Sequence, residues 1–439
     1  MEVGEYFPPV EDEIRIQNYI KYRELFRGNH GDVFADVQKR LEGKTVITYI
    51  AANFCGIIAK LSSDLLFGEP IKITGENQEK IDEIVEMNKL NSNLLFDSIS
   101  NAYKGDSFWK VRYNGRVIIE PIRPEIVFVD LDEDNILEPK KYSIAWIKHY
   151  NDNDYVRVEE HEKGLIRNKL FSLKKGKLKE QIDIHFFYPE LEEEQKTGID
   201  DFLIVHIPNF RTNDSFWGIS DYYDIEPVQD EINNRLSRIS MILDKHSDPT
   251  LIVPTGTLDE NGELRKGDAE VFEIGQGDLA PQYLTWNGNI DSAFKEIDLL
   301  IDTLHMMAEI SPSLTGLDKS GIPESGRALK YRLLRTLAKI GRKRIFYDEG
   351  IKKIINLALQ MEGIEPFPIT IKWSDGIPDD YSEKIIDEAN RISSGTTSIV
   401  SAIKRIDNCD DEIANSEYEK IKQETLAQSP PIGLSKLEI

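Results

Sequence analysis

Oxygen donors recur at alternate positions in Asp130-Leu131-Asp132-Glu133-Asp134-Asn135, the spacing at which a calcium loop places its first three ligands. The match ends there, since no glycine stands sixth and Lys141 stands where a bidentate glutamate would be needed. A solvated acidic turn is the competing reading. Gly275-Gln276-Gly277-Asp278-Leu279-Ala280 fits G-x-G-x-x-A, whose chemistry is pyrophosphate binding at a helix N-terminus. Pro281 and the strand-like Gln282–Trp286 follow instead of a helix, so a turn is expected. The seven histidines form no H-E-x-x-H, and no C-x-x-C, P-loop or G-x-S-x-G pattern occurs. With 78 carboxylates in the chain, chance acid pairs are expected. Nothing assembles a nucleophile, a base and an orienting group. The expectation is a protein that is not an enzyme and needs no cofactor or metal. The alternative is a metal-dependent nucleic-acid-modifying enzyme with a degenerate site at Asp130, Asp132 or Asp134.

A second kind of chemistry lies between Ser311 and Ile355. A loop rich in Gly, Ser and Pro leads into a basic amphipathic helix, and Glu324–Ile355 holds ten Lys/Arg against three Asp/Glu. At 100° per residue, Leu329, Leu333, Leu337 and Ile340 share one face. Arg332, Arg335, Lys339, Arg342 and Lys343 share another, the spacing of a phosphate-facing stripe. A solvated face, or a partner for acidic surface on this or a neighbouring chain, explains such a run equally well. Gly321, Pro323 and Gly326 predict a sharply turned loop with Ile322 at its apolar tip.

The remainder of the chain is acidic, with a formal net charge of −24 over 439 residues. That balance argues against a protein that coats nucleic acid non-specifically, which needs dispersed basic surface. It leaves open DNA passing through a lumen, where weak sticking would be an advantage. Cys55 and Cys409 cannot build a disulfide framework, and a reducing compartment is expected. The N-terminus shows no signal-peptide pattern. The most apolar stretch, near Ile47–Phe67, carries Asn53, Lys60 and Asp64, so it reads as a buried helix and no membrane partner is expected.

The periodicity predicts short helices before residue 45, a helix over Thr48–Phe67, and helices from Glu79 to about Tyr103. From Ser107 the period becomes two, and Asn114-Gly115 marks a hairpin. Strands at Ile126–Val129, Tyr142–His149, Tyr155–His161, Leu165–Ser172 and Gln181–Tyr188 form a β-meander, and Phe202–Ile207 adds a strand ending at Pro208. Helices over Asp221–Ser247 and Ile290–Glu309 bracket an island of short strands. A strand at Ile369–Trp373 and an acidic helical end to about Gln428 follow. The class is α+β.

Five segments, in this order, resemble the portal proteins of long-tailed bacteriophages. They are Tyr22–His30 (YRELFRGNH), the helix ending in Leu66–Pro70 (LFGEP), and Ala102–Val111 with Arg123–Asp130 (AYKGDSFWKV and RPEIVFVD). The fourth is Phe216–Ser237, a G-x-S-D…Q-D-x-x-N pattern, and the fifth is the S-G-x-A-L-K pattern that opens the basic helix. The resemblance spans roughly residues 20–425. It implies a portal fold with an N-terminal segment (1–48), a β-rich wing (49–220), and a two-helix stem (221–248 and 290–311). A small α/β clip (249–289), a tunnel loop (312–326), a tunnel helix with wing return (327–377), and a helical crown with its tail (378–439) complete it. It also implies a ring of about twelve copies, a head-to-tail contact that closes, with double-stranded DNA passing through. Lys319, Ser320, Gly321, Ile322, Pro323, Glu324 and Ser325 would face that DNA. Glu260, Asn261, Glu263, Arg265 and Lys266 in the clip would dock the terminase large subunit and later a head-completion or adaptor protein. Scaffold and major capsid protein would be further partners, and the location would be the capsid portal vertex, with host cytoplasm during assembly.

Overall fold

The computed structural model describes residues 1–34, 49–247, 251–252, 277, 282–283, 290–317, 326–374, 381–407 and 409–428. In place of short N-terminal helices there is one of 18 residues, α1 (Val10–Arg27), with Glu11, Asp12 and Glu13 in its first turn. Those charges complement the positive end of the helix dipole. Gly28 ends it at φ +87°, and the amides of Gly28 and Asn29 bond back to Leu25 and Glu24. A single turn, α2 (His30–Val33), follows. The next helix, α3 (Phe54–Phe67), begins later than the periodicity predicts because Asn53 caps it, accepting from the Gly56 amide at 2.8 Å. Ile50 therefore lies outside the helix. After β1 (Lys72–Thr74) come α4 (Gln78–Met87) and α5 (Leu90–Lys104).

The β region contains two larger sheets. β2 (Asp106–Tyr113) and β3 (Val117–Ile122) form the Asn114-Gly115 hairpin, Gly115 taking φ +69°, and β10 (Ile204–Pro208) pairs antiparallel with the free side of β2. The meander runs β4 (Val127–Leu131), β5 (Pro139–Tyr150), β6 (Asn153–Glu162), β7 (Leu165–Lys174), β8 (Lys177–Ile182), with β9 (Glu194–Lys196) against β7. One predicted strand is displaced. Lys175 and Gly176 both take positive φ, making a two-residue turn, so the strand restarts at Lys177. It ends at Ile182, and residues 184–186 form a 3-10 turn capped by Asp183.

Two helices then leave the sheets: α6 (Glu226–Ser247), with Pro227 in its first turn where a missing N–H costs nothing, and α7 (Ile290–Ala308). Between them β11 (Leu251–Ile252) pairs with β12 (Gln282–Tyr283). The rest of the predicted island, with nearly all of the G-x-G-x-x-A stretch, lies outside the described residues. The predicted basic helix is divided at Leu333 (φ −88°, ψ 0°) into α8 (Gly326–Arg332) and α9 (Leu334–Met361). β13 (Thr370–Lys372) returns to pair with β1.

The chain forms two compact units, 1–319 with 333–376, and 320–332 with 377–439. The first is built around α9. Ile340, Tyr347, Ile351, Ile354 and Ile355 pack against Trp109, Val111 and Ile119 of the three-stranded sheet and Leu90 and Leu94 of α5, all buried. Burying each such side chain contributes about 1.5–3 kcal/mol. The second unit holds α8, α10 (Tyr381–Ser393), α11 (Ile399–Ile406) and α12 (Asp411–Gln428). In it Glu388 accepts from Arg391 at 3.1 Å and from Arg405 at 2.7 Å, tying α10 to α11. Among the described residues no helix is long and apolar enough to cross a membrane.

Candidate functional site

One of the stretches that carry the resemblance, Phe216–Ser237, forms a polar joint at the common base of α6 and α7. It starts with two glycines pressed together. Gly105 sits at φ +100°, and a Cβ on Gly218 would lie 2.0 Å from the Gly105 carbonyl oxygen, so neither position has room for a side chain. The Gly218 amide donates to Asp106 Oδ1 at 2.7 Å. Asp106, almost fully buried, also accepts from the Tyr19 hydroxyl (2.5 Å), and its Oδ1 lies 2.7 Å from His206 Nε2. Ser220 Oγ donates to the Tyr103 carbonyl at 2.6 Å and accepts from the Tyr222 amide at 3.0 Å. Tyr222 reaches across to the Cys55 carbonyl at 2.6 Å.

Asp221 comes next and is the electrostatic centre. Its Oδ2 lies 2.6 Å from Lys343 Nζ and 3.1 Å from Lys339 Nζ, and its Oδ1 accepts from Asn209 at 2.9 Å. All three charged side chains are at least nine-tenths buried. Burial works to raise the Asp221 pKa, but the two ammoniums beside it prevail and hold it well below the usual carboxylate range. Lys343 is pulled down to about 8, first by burial and then by Lys339, with Asp221 opposing. One carboxylate thus serves two cations.

Farther along α6, Gln229, Asn233 and Ser237 are fully buried and hold the segment before α3. Gln229 Nε2 donates to the Ala52 carbonyl (2.7 Å), Asn233 Oδ1 accepts from the Ala52 amide (3.0 Å), and Ser237 Oγ accepts from the Ile50 amide (2.9 Å). Asn233 Nδ2 donates to His30 Nδ1 at 2.8 Å, which leaves His30 Nε2 to donate to the Leu25 carbonyl at 3.0 Å. The bonds therefore fix a neutral His30 with its proton on Nε2, and burial lowers its pKa.

The structure divides the predicted basic stripe. Lys339 and Lys343 point inward to Asp221, and Lys339 also donates to the Ala308 carbonyl at 2.9 Å. Arg342 pairs with Glu309, and Arg335, about two-thirds exposed, lies 3.9 Å from the same carboxylate. Arg332 is exposed at the end of α8. Most of the stripe thus grips the end of α7, where unpaired carbonyls carry the negative pole of the helix dipole. Thr336, which sequence reasoning missed, completes the grip by donating to the Glu309 carbonyl (3.0 Å) and accepting from the Ser311 amide (2.9 Å). The signal for this was the Thr-x-x-Lys-x-x-x-Lys spacing on the polar face of α9. Its partners lie more than 20 residues away in sequence.

Two groups of predicted residues are not placed. The DNA-facing part of the tunnel loop, Lys319, Ser320, Gly321, Ile322, Pro323, Glu324 and Ser325, lies outside the described residues, as do Glu260, Asn261, Glu263, Arg265 and Lys266 of the clip, whereas Pro312–Thr315 form a 3-10 turn. The acidic loop considered for a metal is engaged in other ways. Asp130 pairs with Lys141 at 2.8 Å and Asp132 with Lys140 at 3.4 Å. Asp132 Oδ1 also caps the turn, accepting from the amides of Asp134 and Asn135. This is the geometry of an acidic turn. Among the described residues, the one group of three side chains with donor atoms close enough to share a metal ion is Asp183, His185 and Glu193.

Comparison with known proteins agrees with the arrangement of elements. No curated protein sequence matches the chain. Among solved structures, a chain from the neck of an empty gene transfer agent particle, computed with C6 symmetry, aligns at 13% identity and a TM-score of 0.52. The alignment covers 82% of this chain and 90% of that one, a likeness of fold. Chains from the native particle neck computed with C12 symmetry and from the native virion align at 12% identity, covering 80% of this chain and 89% of each of those, with TM-scores of 0.49 and 0.48. The family model described as phage portal protein, SPP1 Gp6-like, matches residues 11–430. With nearly the whole chain matched in one collinear run, the protein belongs to the phage portal protein family of the SPP1 Gp6-like type.

Proposed function

We propose that this chain is the subunit of a ring of about twelve copies at one capsid vertex, the channel through which double-stranded DNA is packaged and later ejected. The observation that carries this reading is the family match over residues 11–430. The helix pair that would line the channel supports it, both helices being anchored at their base by buried charges and amides. In this reading α6 and α7 are the stem, residues 249–289 are the clip that docks the terminase large subunit and then a head-completion or adaptor protein, and residues 312–326 reach toward the DNA. The −24 net charge, 78 Asp/Glu against 54 Lys/Arg, repels phosphates, and much of the basic stripe is already engaged at the end of α7, so DNA would slide without sticking. Scaffold and major capsid protein would hold the ring in the virion. ATP hydrolysis would belong to the separate motor.

Native mass together with averaged electron-microscope top views tests the reading. A ring of about twelve subunits with an open centre is expected. A stable compact dimer would overturn it. In rings that assemble, deleting Gly321–Ser325 should impair packaging and leave the rings intact. Loss of the rings would contradict the tunnel-loop assignment.

A further inference from the structure

The far end of the six-stranded sheet carries aromatic rings that the core does not use. At the β5–β6 hairpin tip, Tyr150 and Tyr155 meet Phe186 and Phe187 from the 3-10 turn, with ring centroids 4.7–6.3 Å apart. Phe186 remains 57% exposed and Tyr150 45% exposed, an unusual position for a phenylalanine. The platform already accepts a cation from its own chain, since Lys148 Nζ lies 4.2 Å from the Phe187 centroid and 4.7 Å from that of Tyr188. The exposed ring faces offer the same quadrupole to a cation from outside.

The same turn also gathers negative charge. Asp183 and His185 immediately precede the aromatic residues, Asp183 Oδ1 lying 2.7 Å from His185 Nδ1, and Glu193 comes in from the acidic run Glu190–Glu194, so that one donor atom from each lies within 4.8 Å of the others. All three are exposed. Exposed aromatic faces beside converging carboxylates are complementary to guanidinium or ammonium groups, which stack on the rings and pair with the acids. A second copy of this chain is a poor source of those cations. It carries −24, with 78 Asp/Glu against 54 Lys/Arg.

We propose that this sheet tip is a docking surface for an arginine- or lysine-rich segment of another protein, with cations seated on Phe186 and Tyr150 and their charge met by Asp183 and Glu193. The surface is separate from the joint at the base of α6 and α7, and the proposal does not depend on the channel reading.

The test uses the full chain and a fluorescein-labelled (Arg-Gly)6 peptide in 150 mM salt, read by anisotropy. Saturable binding is expected, weakened about tenfold by Phe186→Leu with Tyr150→Leu, which keep apolar bulk and remove the ring faces. Asp183→Asn with Glu193→Gln should weaken it similarly. Glu412→Gln with Glu424→Gln, removing the same charge from the C-terminal helix, should change it less than twofold. Melting curves confirm that each variant is folded, as the exposure of these side chains predicts. The proposal is overturned if the peptide does not bind, if the leucine pair binds like the wild type, or if the control pair weakens binding as much. It is equally overturned if zinc ions bind at Asp183, His185 and Glu193 and displace the peptide, or if the tip mediates self-association that the leucine pair abolishes.

Discussion

Replacing Asp221 with Asn should be among the most damaging single changes in this protein. The substitution keeps the size and the contact with Asn209 but leaves Lys339 and Lys343 buried with no carboxylate. Lys339 retains the Ala308 carbonyl, whereas among the described residues Lys343 has only Asp221 as a hydrogen-bond partner on its ammonium. Breaking a buried ion pair from one side costs about 3–5 kcal/mol. The share of the cost that falls on Lys343, though not that on Lys339, has a ceiling, because Lys343 can instead lose its proton. At pH 7, against an ordinary value of about 10.4, that costs about 4.6 kcal/mol. A loss of about 3–5 kcal/mol is a large share of a domain's usual stability of roughly 5–15 kcal/mol. Urea unfolding followed by tryptophan fluorescence measures it. Adding Lys343→Met to Asp221→Asn should recover more than half of the loss, because it removes the stranded charge. Lys339→Met alone should cost less than Asp221→Asn, because it leaves one carboxylate with one ammonium. The sign with pH is also fixed. The folded Asp221 pKa is depressed, so its contribution is complete above an unfolded value of about 3.9 and is lost only as the pH falls below that. An Asp221→Asn loss under 1 kcal/mol, or no rescue by Lys343→Met, would refute the account of the joint.

Three further outcomes are expected. Arg335→Glu should change stability by less than about 0.5 kcal/mol, since that side chain is exposed at 3.9 Å from its partner. Lys339→Glu, by contrast, sets two carboxylates together in a buried site and should cost about 3 kcal/mol or more; equal effects in parallel urea titrations would show that the stripe is not divided. Gly218→Ala should prevent folding or cost at least about 3 kcal/mol, because the new Cβ meets the Gly105 carbonyl. Gly341→Ala, in open space within α9, should stabilise by roughly 0.5–1 kcal/mol, and melting temperatures moving in the same direction would contradict this. For His30, whose folded pKa is lowered, the folded state binds fewer protons than the unfolded one. Stability should therefore fall as the pH drops below about 6.5, by up to about 1.4 kcal/mol per unit, and His30→Gln should remove part of that slope. His161 is lowered too, so some slope persists; an unchanged slope in the variant would show that His30 is not held neutral.

Local rules read from the sequence account for much of the architecture. The Asn114-Gly115 hairpin, the alternation through the meander, Pro227 at the start of α6 and the acidic helical end all lie where backbone preference and hydrophobic period put them. Each depends on neighbours a few residues apart. The misses fall where local rules give no signal. The 18 residues of α1 are too polar to show a clear apolar stripe, and their helix is held by tertiary contacts such as Tyr19 to Asp106. The break at Leu333 has no glycine or proline to announce it. The Lys175-Gly176 turn shifted a strand because two residues suffice where both take positive φ.

The joint was legible as a pattern but not as a mechanism. The resemblance to portal proteins marked Gly218, Ser220, Asp221, Gln229 and Asn233 as a set, and the chain's charge balance argued against non-specific nucleic-acid binding. Spacing also placed five cations on one face of a helix, yet it could not tell a face turned to DNA from one turned inward. That distinction depends on Asp221 and Glu309, which stand 122 residues before Lys343 and 33 before Arg342. Sequence fixes periodicity because period is a property of neighbouring backbone. Only the tertiary fold brings distant charges within a few ångströms, and at that range burial decides which cations are engaged internally and which remain for a partner.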